Sequence, residues 1–256
     1  MVVRGESEGR RSSRFSNTRV VVTGGSQGIG REIATAFAAE GACVAVLDRL
    51  MAEATVLANA IGGSAVECDL ADAANTEAAI TEAIAGLGGI DVLVNNAGVF
   101  KITPLLDISA VEWDWIFAVN VRAMLLTTQV AARTMISQGK GGKIVNMASM
   151  GGKVGAAGQS HYAASKAAVI SLTQVSAAEL GTHGITVNSI CPGYVLTEMG
   201  AATRTPEMVA EWSAKSPLGR LADPSDVASM ALFLASSDAD YCTGQAMNVS
   251  GGMIMH

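Results

Sequence analysis

A basic surface, paired cysteines and a long apolar run are all missing from this chain, and each absence removes a class of function. Its 17 Lys and Arg stand against 23 Asp and Glu, a net charge of −6, with a pI near 5.1. No broad basic face is on offer, so nucleic-acid binding is not expected. No apolar stretch approaches the ~18–20 residues of a membrane span, so no membrane partner is expected either. The four cysteines, Cys43, Cys68, Cys191 and Cys242, are scattered without a C-x-x-C pair. They read as reduced, buried thiols of a cytoplasmic protein. Only His161, His183 and His256 could add imidazole ligands, and no metal is expected. A secretory hydrophobic segment is absent as well.

What is present is enough for one large core: 256 residues, 50% of them apolar, fit a single α/β domain. Residues 1–18 differ in character. Arg4, Arg10, Arg11 and Arg14 interleave with serines, glycines, Glu6 and Glu8, without apolar periodicity. The arginines and serines suggest a targeting peptide and the two glutamates oppose one, so a solvated arm or an early translation start fits better. From Arg19 onward, short β-branched runs alternate with Ala-rich ones. Strands are expected near Arg19–Thr23, Cys43–Leu47, Ala65–Cys68, Val92–Asn95, Lys143–Met147, Thr186–Cys191 and Ala246–Val249. Helices are expected near Arg31–Glu40, Glu53–Ile61, Asn75–Leu87, Ala110–Gln138, Ser160–Leu180 and Pro224–Leu234. Nearly all-apolar strands are buried on both faces, as in a parallel sheet between helix layers. The alternation gives a doubly wound sheet, whose ligands bind beyond the strands' C-terminal ends. Thr23, Asp48, Asp69, Asn95, Ser149 and Pro192 all fall at such ends.

Two constellations carry the chemistry. Thr23-Gly24-Gly25-Ser26-Gln27-Gly28-Ile29-Gly30 lies between the first strand and the first helix. Glycines there permit a tight turn and let a pyrophosphate rest on the amides of the helix N-terminus, although the spacing is not the usual G-x-G-x-x-G. The second strand ends in Asp48, placed to accept hydrogen bonds from both hydroxyls of an adenosine ribose and to repel a 2′-phosphate. That favours NAD over NADP. Further on come Ser149 and, thirteen residues later, Tyr162-Ala163-Ala164-Ser165-Lys166. Tyr and Lys four apart share a helix face, about 5–6 Å between Cβ atoms, so the ammonium is expected beside the phenol, favouring its ionised form. A phenol titrates near ~10 and a useful base near ~7, so the site must supply about 4 kcal/mol at ~1.36 kcal/mol per unit.

With Asn95-Asn96-Ala97-Gly98, the isolated Asn120 and Pro192-Gly193 added in order, the pattern resembles the short-chain dehydrogenase/reductases from about Arg19 to the C-terminus. The resemblance implies a single-domain Rossmann-type fold of about seven strands, a nicotinamide cofactor and a catalytic tetrad of Asn120, Ser149, Tyr162 and Lys166. Tyr162 would act as general acid/base, Lys166 would lower its pKa and grip the nicotinamide ribose, Ser149 would orient the substrate oxygen, and Asn120 would hold a water in a helix kink. It further implies cofactor contacts from Thr23, Gly24, Ser26, Gln27, Gly28, Ile29, Gly30, Asn96, Ala97 and Gly98. Pro192, Gly193, Val195 and Thr197 would shape the nicotinamide pocket and its surroundings. Asp69, with Leu70 beside it, would meet the adenine, or Asp69 is a turn residue. Relatives of this kind pair their long helices across two-fold axes, which implies a homotetramer.

Substrate choice is expected to lie with a mobile lid near 194–216, facing Val99–Thr103 and Met150–His161. Polar residues there, Lys153, Gln159, Ser160, His161 and Glu198, together with Ser149, Gly151 and Tyr162 as substrate contacts, lean toward a small polyol. Two other readings remain: an NADPH-dependent 3-oxoacyl-carrier-protein reductase, and a catalytically silent dinucleotide-sensing protein. A basic residue in place of Gln27 and no acid at Asp48 would suit the first; the intact tetrad speaks against the second.

Overall fold

The computed structural model describes residues 13–198 and 205–256. Seven strands, β1 Arg19–Thr23, β2 Cys43–Asp48, β3 Ser64–Glu67, β4 Val92–Asn95, β5 Gly142–Met147, β6 Ile185–Pro192 and β7 Ala246–Val249, form one sheet in the order β3-β2-β1-β4-β5-β6-β7. Every pairing is parallel. The helices are α1 Gly28–Ala39, α2 Met51–Ile61, α3 Ala73–Leu87, α4 Ala110–Phe117, α5 Ala123–Gln138, α6 Ser160–Leu180, α7 Pro206–Ala214 and α8 Pro224–Ala235.

Strand alternation decides where the core sits. Val20 and Val22 face one layer with Ile33, Phe37, Val227 and Leu232, while Val21 between them faces the other with Ile80, Ile84, Ala131 and Met135. A strand with period two can bury both faces only if both meet apolar partners, and β1, β2 and β4 do, each from Val20, Val44 or Val92 onward. Each fully buried Val or Ile contributes about 1.5–3 kcal/mol, so the sheet's centre carries much of the stabilising burial. The strand order reverses between β1 and β4, which pair Val22 with Val94. The crevice beyond those two strands is the switch point at which such sheets bind ligands. The edge strand β3 departs from the all-apolar expectation: only Val66 is buried.

Four local expectations change. Ala110–Gln138 is not one α-helix, because a π-helical turn at Ala118–Arg122 separates α4 from α5. That 29-residue stretch is also apolar and long enough to cross a bilayer, contrary to the reading that no run was, but half of its most apolar window is buried inside the fold, as in a core helix. The described part of the N-terminal arm is docked, with Phe15 edge-on to Phe37 at 4.8 Å and Arg14 paired with Glu40 at 2.7 Å; residues 1–12 lie outside the described residues. Of the thiols, Cys68 and Cys191 are buried but Cys43 is exposed at the start of β2.

The expected lid contains helix α7, capped by Thr205, whose hydroxyl accepts from Met208 N at 3.3 Å, and by Pro206 in its first turn. Residues 199–204 lie outside the described residues. Trp212 of α7 stacks on Tyr194 with centroids 4.7 Å apart, and Val195 bridges Ala222, so the described ends of this segment are pinned.

Candidate active site

At the end of β1 the backbone turns through Gly24, at φ +60°, where a Cβ would lie 2.8 Å from Ala97 Cα. A Cβ on Gly30 would lie 2.1 Å from the Gly24 carbonyl oxygen. Both positions therefore require glycine, and the result is a closely wound loop against the β4 end. Thr23 fastens it: its Oγ1 accepts from the amides of Asn96 and Ala97, each at 3.1 Å. The Asn96 amide donates back to the carbonyls of Thr23 and Gly24. Helix α1 then begins at Gly28, after an N-cap, Gln27, that makes no side-chain cap. Its first-turn amides are left for an anion.

Asp48, half-buried at the end of β2, is fixed before any ligand arrives. Its Oδ2 accepts from Ser26 N at 3.0 Å and Ser26 Oγ at 2.7 Å, and its Oδ1 accepts from Leu50 N at 3.0 Å. These contacts orient a carboxylate beside the glycine loop. Asp69 is exposed, and one carboxylate oxygen closes a turn by accepting from Ala71 N at 3.0 Å. Leu70, Thr23 and Ala97 line a pocket with the start of α5. Gly193, just past buried Pro192, packs against Ser250, where a Cβ would come within 3.0 Å of Ser250 Cα. Thr197 and Glu198 reach over the glycine loop: a Cβ on Gly28 would be 3.2 Å from Thr197 Cγ2 and 3.4 Å from Glu198 Oε2. Glu198, expected at the substrate, thus stands by the glycine loop.

The four tetrad side chains converge past β4 and β5. Ser149 caps a 3₁₀ turn, its Oγ accepting from Gly151 N at 3.0 Å. Tyr162 sits in the first turn of α6 with Phe100 edge-on to its ring, centroids 4.8 Å apart. Asn120 lies in the π turn and is fully buried, which rules out a solvated helix face. Its Oδ1 accepts from Val99 N at 2.8 Å, and its Nδ2 donates to Val99 O and to Ser165 Oγ, both at 3.0 Å. The widened turn tips its amide off the helix, so it bonds the β4 loop rather than its own backbone. Gly98 leaves the space between Lys166 and Asn120 open, since a Cβ there would lie 3.2 Å from Lys166 Nζ and 3.3 Å from Asn120 Oδ1.

Lys166 shares the face with Tyr162 that the spacing predicts, and its hydrogen bond goes elsewhere. Its Nζ donates to Met147 O at 2.8 Å and stands 5.8 Å from the Tyr162 ring centroid. Spacing put the two on one helix face, but the free carbonyl at the end of β5 took the ammonium. Burial holds Lys166 down at about 8. Burial also raises the Tyr162 phenol above its ordinary value, and the Ser149 hydroxyl is what favours the phenolate.

On the substrate side, Gly151 borders Ser149, Tyr162 and Gln159: a Cβ on it would be 3.4 Å from Ser149 Oγ, 3.5 Å from Tyr162 Cε1 and 3.8 Å from Gln159 Oε1. Two other polar residues expected in the lining are engaged elsewhere. Lys153 donates to Ala246 O and Asn248 Oδ1, each at 2.8 Å. His161 is fully buried and bonded to Glu112 Oε1 at 2.9 Å. Glu112 also receives Lys101 Nζ and Thr103 Oγ1, and with Lys101 as the main cause its carboxyl falls to about 2.

Sequence reasoning missed Phe100, Glu112 and Ser165. Ser109-x-x-Glu112 carries a capping-box signature, and Ser109 Oγ does accept from Glu112 N at 3.2 Å. The Glu112 carboxylate, however, bonds residues distant in sequence, which no local pattern announces.

A family model described as enoyl-(acyl carrier protein) reductase matches residues 24–254. Galactitol 2-dehydrogenase of Agrobacterium fabrum is 41% identical over 253 residues, 93% of this chain and 98% of that protein. The 3-oxoacyl-[acyl-carrier-protein] reductase FabG of Staphylococcus aureus is 39% identical over 241 residues, 92% of this chain and 97% of that protein. A solved short-chain type dehydrogenase/reductase from Mycobacterium marinum superposes with a TM-score of 0.89 at 38% identity, covering 96% of this chain and 98% of that one.

Proposed function

The chain belongs to the short-chain dehydrogenase/reductase family, and from that premise we propose an NAD-dependent dehydrogenase that interconverts a secondary alcohol and its ketone, with a small polyol as the preferred substrate. It is an oxidoreductase of alcohol and keto groups that uses a nicotinamide dinucleotide. The observation carrying NAD is the Asp48 carboxylate, held beside the glycine loop by three hydrogen bonds. An anion so placed suits two ribose hydroxyls and opposes a 2′-phosphate. The uncapped start of α1 and the glycine cradle suit the pyrophosphate.

In this reading Tyr162 takes the alcohol proton during oxidation and returns it during reduction. Ser149 orients the substrate oxygen. When bound, the nicotinamide supplies the hydride acceptor and, when oxidised, a positive charge. Lys166 and Asn120 meet at Gly98, where Lys166 would grip the ribose and Asn120 would hold the water that links Lys166 to solvent.

The polyol preference rests on Gln159 next to Gly151, and on the likeness to a galactitol 2-dehydrogenase. One observation favours a second reading, an NADPH-dependent 3-oxoacyl-carrier-protein reductase: the loop past Phe100 exposes Ile102 at 66% and Leu106 at 95%, apolar surface of the kind an acyl chain would cover. Identities of 41% and 39% do not separate the two. Absorbance of the reduced nicotinamide across polyols, hydroxy acids and 3-oxoacyl thioesters, with each cofactor, does. Turnover of polyols with NAD supports the proposal; 3-oxoacyl reduction with NADPH alone replaces it. A silent sensor would show no turnover with any pair.

We propose also a homotetramer. Trp113 and Trp115 of α4, Leu125 and Ile136 of α5, and Val175 of α6 remain exposed, more apolar surface than the sheet covers.

A further inference from the structure

His161 is a fully buried titratable side chain that the chemistry above does not use, and it sits immediately before Tyr162. Its Nδ1 accepts from the Tyr162 backbone amide at 3.0 Å, so the ring proton is on Nε2, the atom 2.9 Å from Glu112 Oε1. Glu112, on α4, also holds Lys101 and Thr103, and the Thr103 amide donates to Gly158 O at 2.9 Å. One carboxylate therefore ties three pieces together: the loop that follows β4, the first turn of α4, and the first turn of α6. Between Val99 and Lys101 that loop carries Phe100, whose ring edge rests on Tyr162.

We propose that Glu112 and His161 are positioning residues that clamp the Phe100 loop onto the start of α6, and so fix the orientation and the dryness of the Tyr162 phenol. Every bond in the clamp is accounted for by the donors and acceptors present. A neutral imidazole donating from Nε2 and accepting at Nδ1 satisfies both of its nitrogens. A carboxylate accepting from an ammonium, a hydroxyl and an imidazole is a strong charge-assisted acceptor. The remaining link, packing of Phe100 on Tyr162, covers one side of the phenol ring. A buried phenol resists ionisation, and Tyr162 is raised in that sense by its burial. Opening the clamp would hydrate the phenol and let it ionise at lower pH. It would also misplace the oxygen, and misplacement by about 1 Å costs on the order of 100-fold in rate.

The inference rests on Tyr162 being the acid/base, so the test includes a readout that needs no turnover. Tyrosinate absorbance is titrated for the wild type, Glu112→Ala, His161→Asn and His161→Gln, each with and without Tyr162→Phe. The paired difference isolates Tyr162 from Tyr194 and Tyr241. In Glu112→Ala and His161→Asn the Tyr162 transition should fall toward that of a solvated tyrosine. Turnover of the best alcohol of the panel should drop on the order of 10–100-fold, through kcat, with NADH affinity unchanged. His161→Asn keeps an acceptor near the Nδ1 position but does not reach Glu112. His161→Gln places an amide nitrogen near the Nε2 position and should recover part of the loss if it folds as the wild type does by circular dichroism. An unmoved Tyr162 titration in folded Glu112→Ala and His161→Asn proteins overturns the clamp. A shifted titration in a protein whose Tyr162→Phe variant still turns over supports the clamp and removes Tyr162 from the proposed chemistry.

Discussion

Asp48→Asn isolates charge from shape at the position proposed to select the cofactor. A carboxylate about 5 Å from a 2′-phosphate feels roughly 3 kcal/mol per pair of unit charges at an effective dielectric constant of ~20. A phosphate bears about −1.5 to −2 charges, while solvent and salt at this half-buried position remove about half of the repulsion. About 2–3 kcal/mol remains, so the amide should tighten NADP(H) binding by roughly 30–150-fold. NAD(H) should weaken by roughly 5–30-fold, because ribose hydroxyls lose a charged acceptor worth about 1–2 kcal/mol more than a neutral one. The substitution has a structural signature too. Ser26 presents two donors to Oδ2 and Leu50 one to Oδ1, so an amide can face its oxygen to Ser26 only by pointing its nitrogen at the Leu50 amide. That unsatisfied contact costs about 1 kcal/mol, a fall in melting temperature of roughly 2–4 °C. Titration calorimetry with both cofactors and a thermal melt measure all three. A ratio of the two affinities that moves less than about threefold would refute the electrostatic account of Asp48.

Tyr162→Phe should abolish turnover in both directions while NADH affinity, read by fluorescence, stays near the wild-type value, since only the ionisable oxygen is removed. Oxidation in the wild type should climb with pH into the alkaline range, because the base form of a phenol raised by burial is scarce at neutrality; a flat profile across that range speaks against Tyr162 as the base. Burial holds Lys166 at about 8, below the ~10.4 of an unfolded lysine, so the unfolded chain binds more protons between those values and stability rises with pH there. Relative to Lys166→Met, the wild type should therefore gain on the order of 3 kcal/mol in urea unfolding across that window, and a constant difference would show that Lys166 is not desolvated. Light scattering should find a tetramer at micromolar concentration that Val175→Asp on α6 splits into smaller species; a stable wild-type monomer ends that proposal.

Most of the framework was legible because strands buried on both faces have a signal that little else imitates. Each expected strand is present with its ends moved by no more than two residues. Discontinuities were harder. The π turn at Ala118–Arg122 leaves no mark in apolar periodicity, because the stretch from Trp113 to Leu126 carries apolar residues on nearly every side and a shift of register does not stand out against it. Helix α7 did leave one: Thr205-Pro206-Glu207 supplies an N-cap, a proline for the first turn and an early acid, but the small residues before it made the whole segment look like loop. Phe15 was hidden for a different reason. A single aromatic among arginines and serines has no period, and its burial depends on Phe37 across the fold.

Within the site, sequence identified which residues meet but not which atoms bind, and Lys166 shows why the difference matters. Helical spacing guarantees that residues 162 and 166 share a face. It says nothing of the Met147 carbonyl that ends β5, nineteen residues earlier in the chain. An ammonium bonded there sits over the phenol ring, 5.8 Å from its centroid. The phenol is then governed by what surrounds it more closely: Ser149, which favours its ionisation, and the burial that opposes it, of which Phe100 is the visible part. Asn120 reaches the same residue by another route, through Ser165 Oγ, which donates to the Tyr162 carbonyl at 2.7 Å. Tyr162 is thus held by its ring, its amide and its carbonyl through three separate sets of neighbours; Ser149, His161 and Asn120 among them were marked in advance, whereas Phe100 and Ser165 were not. Redundant fixation of one residue is what a reaction demanding sub-ångström placement requires, and here it combines local bonds from His161 and Ser165 with the long-range contacts that Phe100, Glu112 and Asn120 make to this turn.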